Sequence, residues 1–173
     1  MNDKKILGID PSIASTGYAV IDKGKLIACG KITTSSKHTE TFRMHELFEA
    51  IRDIVQEFQP DITVMEDQFM GVNAQTSLYL ARARGVAMIS AYEAGSQIVI
   101  YTPSEIKKCV TGIGNSKKDL VQEKVIELYK DAELVDFYFS QGIKSNGKNK
   151  NDDISDAIAI AHTHKVLNQG KLI

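Results

Sequence analysis

Cysteine is scarce in this sequence, long apolar runs are missing, and neither sign of charge dominates. Its two cysteines, Cys29 and Cys109, stand far apart with no metal-like spacing. That excludes a disulfide-built scaffold and a cysteine zinc site, and fits two unpaired thiols in a reducing compartment. No apolar run approaches the ~18–20 residues that a membrane span requires. The opening Met1-Asn2-Asp3-Lys4-Lys5 leads straight into a strand pattern, without the shape of a signal peptide; a cytoplasmic protein with no membrane association is expected. A formal net charge of −1 excludes a protein that coats nucleic acid by bulk charge. Internal repeats and composition breaks are also lacking. What is present is a hydrophobic fraction of 43% in 173 residues, enough for one domain with a real core, spanning 1–173.

The chain is organised around Leu7-Gly8-Ile9-Asp10-Pro11-Ser12-Ile13-Ala14-Ser15-Thr16-Gly17-Tyr18. The apolar run Ile6 to Ile9 reads as a buried strand that delivers Asp10 at its end. Pro11 removes a donor and Gly17 permits a tight turn into a second apolar run, Tyr18 to Ile21. Strands are expected at Lys4–Asp10, Gly17–Asp22 and Lys25–Thr33, the last two joined by a short hairpin at Lys23-Gly24. Phe42, Leu47, Phe48, Ile51, Ile54, Val55 and Phe58 follow helical spacing, so Thr41 to Phe58 reads as a helix stopped by Gln59-Pro60-Asp61. Ile62 to Met65 reads as a central strand with Glu66 at its end. A helix follows from about Asn73 to Ala94, its small residues Ala81, Ala83, Gly85 and Ala87 suited to close helix packing. Gln97 to Tyr101 is another strand. Thr102 and Pro103 open a short helix, and Gly112-Ile113-Gly114-Asn115 breaks it before Ser116 caps the next, to about Lys130. Residues 131–151 read as irregular, and a last helix runs from Asp152 to about Leu167. The pattern predicts an α/β layered fold, a mixed central sheet flanked by helices.

Four acids carry the chemistry. A lone aspartate on an interior strand is costly unless a cation meets it, and Glu66 repeats the arrangement on a second strand. Asp153 and Asp156, three apart on a helix, share one face about 5–6 Å apart at Cβ. Asp152 and Asp153 also suit a helix start, where they would act as caps. Four converging acids raise one another's pKa unless a cation offsets them. Hard oxygen ligands suit Mg²⁺, with Mn²⁺ able to substitute, rather than zinc. Two such ions about 3.5–4 Å apart can activate water and steady the leaving oxygen of a phosphodiester. The acids therefore predict a metal-dependent enzyme that cuts nucleic acid. Lys144, Lys148 and Lys150 fall in a stretch without acids, within a loop of about 136–151, and suit phosphate binding. His162 and His164 lie two turns from Asp156 and are expected at the surface or the helix end; His38 and His45 belong to no constellation.

Several stretches in order resemble one family: GIDPS with TGY, then VMEDQFMGVNA, ARGVA, IKKCVTGIGNSKK and DDISDAIAIAHTH. Together they resemble the RuvC family of Holliday junction resolvases, within the RNase H-like nuclease fold. The resemblance implies a homodimer that binds branched DNA, four-way junctions above all, and nicks two strands symmetrically with Mg²⁺. It assigns catalysis and metal binding to Asp10, Glu66, Asp153 and Asp156, and places Lys107 and Lys118 at the scissile region. Phe69 corresponds to an aromatic suited to stacking on an unpaired base, and Lys117 is a further phosphate contact. The helix at about 73–94 falls where the family dimerises. Ser12 stands where bacterial members commonly have Gly, and the loop at 136–151 is longer than in compact members; phage-type members fit this divergent form. The same hairpin also resembles the phosphate loop of actin-like and sugar-kinase ATPases, but no second lobe is present. An RNase H-type or fork-cutting nuclease and a non-catalytic junction binder remain alternatives. Cleavage preference and the need for a branch-migration motor are not written in the sequence.

Overall fold

The computed structural model describes residues 4–67, 74–133 and 152–168, with the backbone of 171–172. Phe69, Lys144, Lys148 and Lys150, and the whole of the lysine-bearing loop at 136–151, lie outside the described residues. Six strands form one sheet: β1 (Ile6–Asp10), β2 (Ser15–Asp22), β3 (Lys25–Thr33), β4 (Ile62–Glu66), β5 (Gln97–Tyr101) and β6 (Lys171–Leu172). Their order is β3-β2-β1-β4-β5-β6. β1, β2 and β3 form an antiparallel meander, β1, β4 and β5 run parallel, and β6 returns antiparallel. Lys23 (φ 47°) and Gly24 (φ 79°) make the tight connection between β2 and β3, the paired positive φ of a hairpin turn matched to strand twist.

Helices cover both faces. α1 (Glu40–Phe58) and α2 (Ala74–Glu93) pack on one; α3 (Pro103–Thr111), α4 (Lys118–Leu128) and α5 (Asp152–Leu167) pack on the other. The two-residue period of the strands sorts the side chains. Leu7, Ile9, Val20, Met65, Ile98 and Ile100 join Leu47, Ile51 and Val55 of α1. Ile6, Ile21, Ile62, Val64, Val99 and Tyr101 join Ile154, Ala157, Ile158 and Ala161 of α5. By that parity Asp10, two residues beyond Gly8, and Glu66, two beyond Val64, both face α5.

Glycine sets how close α5 comes. A Cβ at Gly8 would collide with the backbone of Ala157 and Ala161, and one at Gly17 with the backbone of Asp153. Gly17 is thus not a turn residue, as the sequence suggests, but the third residue of β2. Its lack of a side chain lets the helix backbone reach the sheet. Among the small residues of α2, Ala83 and Ala87 are buried, with Ala91 beyond them, whereas no other atom of the described chain would meet a Cβ at Gly85.

Capping follows local chemistry, with one correction. Thr102 and Glu105 form a reciprocal capping box around Pro103, and Thr39 accepts from the Phe42 N–H. Ser116 does not cap α4; Lys117 occupies that position without a side-chain bond. The Ser116 hydroxyl is instead buried against Thr111, whose Oγ1 donates to it at 3.1 Å.

A second correction concerns His162 and His164. Both are buried, not superficial. Nδ1 of His162 lies 2.9 Å from the Tyr129 hydroxyl, and Nδ1 of His164 lies 2.8 Å from that of Tyr101. The ladder Ala157-Ala159-Ala161 disguises them, because its small side chains let neighbouring elements close over the helix all round. Burial, with a smaller contribution from Lys165, pushes His162 down to about 4, and burial also lowers His164. The unfolded chain therefore takes up these protons first, so their effect is a loss of stability as pH falls below about 6.5. His162→Gln is expected to gain relative to the parent as pH drops from 7 to 4.5, read as the difference between their thermal midpoints.

Candidate active site

At the carboxyl ends of β1 and β4, a cleft of about 300 Å³ is lined by Asp10, Glu66, Lys107, Lys118 and Asp156, with Ile106, Val121 and Ile160 among its apolar walls. Parallel pairing of β1 with β4, with Ile9 opposite Met65, sets the two strand-end acids side by side. α5 brings Asp156 over them from the third direction. Lys107 comes from α3 and Lys118 from the first turn of α4, so five separate elements supply the five charged groups.

The acids are electrostatically uncomfortable. Burial, then the charges of Asp156, Glu66 and Asp153, push Asp10 up to about 7, with Lys118 opposing. Glu66 is raised by burial and then by Asp156, against Lys107 and Lys118. Asp156 is raised by burial, against its bond to Lys118. Nζ of Lys118 donates to Asp156 Oδ2 at 2.7 Å and lies 3.8 Å from Asp152 Oδ2. Burial disfavours that ammonium, yet the Asp156 bond and the charges of Asp156, Asp152 and Asp10 outweigh it and raise its pKa.

Two partners escaped the sequence. The Ser15 hydroxyl donates to Asp153 Oδ2 at 2.5 Å, which fixes Asp153 beside β2 rather than in the cleft lining. Gln122 Nε2 donates to Asp152 Oδ1 at 2.6 Å. Both are ordinary surface residues by composition, and only the close seating of α5 and α4 makes them neighbours of acids. Lys117, one residue before α4, is exposed and outside the cleft lining.

The donor set suits a hard divalent cation: oxygen ligands only, with negative charge that the ammonium groups of Lys107 and Lys118 offset in part. As the side chains stand, no three of the described His, Cys, Asp and Glu residues are arranged to hold an ion; Lys118 engages Asp156 and Ser15 engages Asp153. Among the described residues, no helix is long and apolar enough to cross a membrane.

Linkage gives the sign of the cost. With Asp10 at about 7 when folded against 3.8 ordinarily, the folded state binds the proton more tightly. Stability from this group is therefore full in acid and lost as pH rises through 7. Without metal, Asp10→Asn is expected to stabilise the protein at pH 8 by on the order of 2 kcal/mol. The gain shrinks toward pH 4, as read from thermal midpoints in chelator.

A family model described as Crossover junction endodeoxyribonuclease RuvC matches residues 6–164. A relative of that name from Finegoldia magna is 35% identical, over 96% of this chain and 99% of its own. Another from Caldanaerobacter subterraneus is 32% identical, over 92% and 91%. Among solved structures, Thermus thermophilus RuvC in complex with a Holliday junction substrate superposes with a TM-score of 0.80, at 22% identity and covering 98% and 99%. The yeast mitochondrial Holliday junction resolvase Ydc2 reaches 0.66, at 16% identity and covering 93% and 78%. The fold is thus RNase H-like, and with a family model matching almost from end to end, the chain belongs to the RuvC family of crossover junction endodeoxyribonucleases.

Proposed function

We propose that this chain is a divalent-metal-dependent endonuclease that resolves four-way DNA junctions by paired, symmetric nicking. It acts as one nuclease domain over 1–173, in the cytoplasm and as a homodimer. The observation that carries the reading is the meeting of Asp10, Glu66 and Asp156 in one cleft with Lys107 and Lys118 beside them. The fold shared with a relative solved on a Holliday junction substrate supports branched DNA as the substrate.

Asp10, Glu66 and Asp156, with Asp153 completing the set, would hold Mg²⁺, or Mn²⁺ in its place. When bound, two such ions would supply a nucleophile at neutral pH and positive charge at the leaving oxygen. Asp10 is disfavoured by burial and by three acids, Asp156, Glu66 and Asp153, so arriving cation charge would relieve it. Lys107 and Lys118 bind the non-bridging oxygens of the scissile phosphate, and Lys118 shifts from Asp156 toward that phosphate as it does so. Apolar walls at Ile106 and Val121 limit water around the reacting group and strengthen each of these charges. Phe69 stacks on an unpaired base near the crossover, and Lys117, Lys144, Lys148 and Lys150 neutralise phosphates of the arms.

The outer face of α2 supports dimerisation. Leu78, Ile89 and Tyr92 are 55%, 50% and 66% exposed, and open space lies at Gly85 between them. These residues recur at helical spacing, and the glycine admits a partner backbone closely. A two-fold pair would set two clefts against strands of like polarity.

Cleavage products of a synthetic mobile four-way junction, a fork and an RNA–DNA hybrid, mapped with Mg²⁺, test the substrate. Symmetric paired nicks on the junction are expected; preferential hybrid cutting would overturn the assignment. Asp10→Asn should bind the junction and lose cleavage by at least about 1,000-fold. Gly85→Arg should give a monomer by light scattering and leave nicks unpaired; an intact dimer would remove α2 from the interface.

A further inference from the structure

The ARGVA stretch of α2 contains a cation that the cleft does not use. Arg84 is only 15% exposed, and its Nη1 donates to Asp67 Oδ1 at 2.9 Å. Asp67 directly follows Glu66. Its backbone N–H donates to the Tyr101 carbonyl at 2.7 Å, one step beyond the pairing of Glu66 with Tyr101. The residue after the acid is thus fastened at two points, to β5 through its backbone and to α2 through its side chain. Nε of Arg84 is buried with no hydrogen-bond partner among the described residues, and among them Asp67 is the acid that pairs with this guanidinium.

The arrangement answers a mechanical problem. Glu66 is the last residue of its strand, and the like charge of Asp156 bears on it unfavourably. A cation placed directly on Glu66 would hold it but would quench the charge the cleft needs. Gripping the next residue holds the strand end and leaves that charge available. We propose that Arg84 is a positioning residue which, through Asp67, keeps the Glu66 carboxylate directed into the cleft; the proposal rests on the reading of Glu66 as a cleft ligand. Arg84 sits on the same helix as the outward-facing Leu78, Gly85 and Ile89, so the tether also ties the strand end to the proposed subunit contact.

The test combines single-turnover cleavage of a four-way junction in Mg²⁺ with junction affinity in Ca²⁺ and mass by light scattering. Its variants are Glu66→Gln, Arg84→Gln, Arg84→Lys, Asp67→Asn and the double variant Asp67→Asn/Arg84→Gln. Glu66→Gln should abolish cleavage. Arg84→Gln and Asp67→Asn should each slow cleavage by about 10- to 100-fold, the scale of a small misplacement, with affinity and mass unchanged. The double variant should be no slower than the worse single one, and Arg84→Lys should recover most of the rate. Asp67→Asn, nearly isosteric, carries the test if Arg84→Gln does not fold. Rates within about twofold of the parent, or additive losses in the double variant, overturn the proposal. So does affinity that falls in step with rate. If instead Glu66→Gln cuts normally, the reading of the cleft fails, and the positioning role with it.

Discussion

Like charges held together against their repulsion govern this structure. Left to themselves, Asp10, Glu66 and Asp156 would separate or take up protons, and burial alone already disfavours their charged forms. What overrides this is the apolar seating of α5 on β1 and β2, where Ile154, Ala157, Ile158 and Ala161 are sealed from solvent. A few kcal/mol of apolar burial per large side chain outweighs the electrostatic cost. The site is a strained minority inside a comfortable core, and Lys118 relieves part of the strain from within.

That balance accounts for the placing of the acidic cleft at the carboxyl ends of the parallel strands. There β1 and β4 end together, and α3 and α4 bring one lysine each across the gap. The opposing sheet face carries no such burden; it is filled by Leu7, Ile9, Met65 and the apolar stripe of α1. One face of a single sheet thus carries the acids and lysines of the cleft, while the other, under α1 and α2, is filled by apolar packing.

Much of this was legible in the sequence, because each signal had a local cause. Strand-end acids, the helical spacing of α1, the Thr102-Pro103 start and the Lys23-Gly24 turn depend on near neighbours, and the structure reproduces them. Gly17 was misread because its role is set by a backbone 136 residues away. His162 and His164 looked like helix-end polar residues, yet Tyr129 and Tyr101, from α4's C-cap and from β5, reach them. Ser15 and Gln122 carry no signal of their own, and Arg84 stands out only as part of the ARGVA stretch; each meets its acid only when packing brings the two together.

α5 is fastened at both ends. Near its start Asp153 accepts from Ser15, and near its finish Lys165 Nζ donates to the Gly24 carbonyl at 2.9 Å. Between those anchors the helix works as a gauge, since each residue turns the side chains by about 100°. Inserting or deleting a single residue between 157 and 164 would leave one anchor engaged and rotate the other away. Evolution can therefore lengthen the chain on either side of α5, but hardly within it.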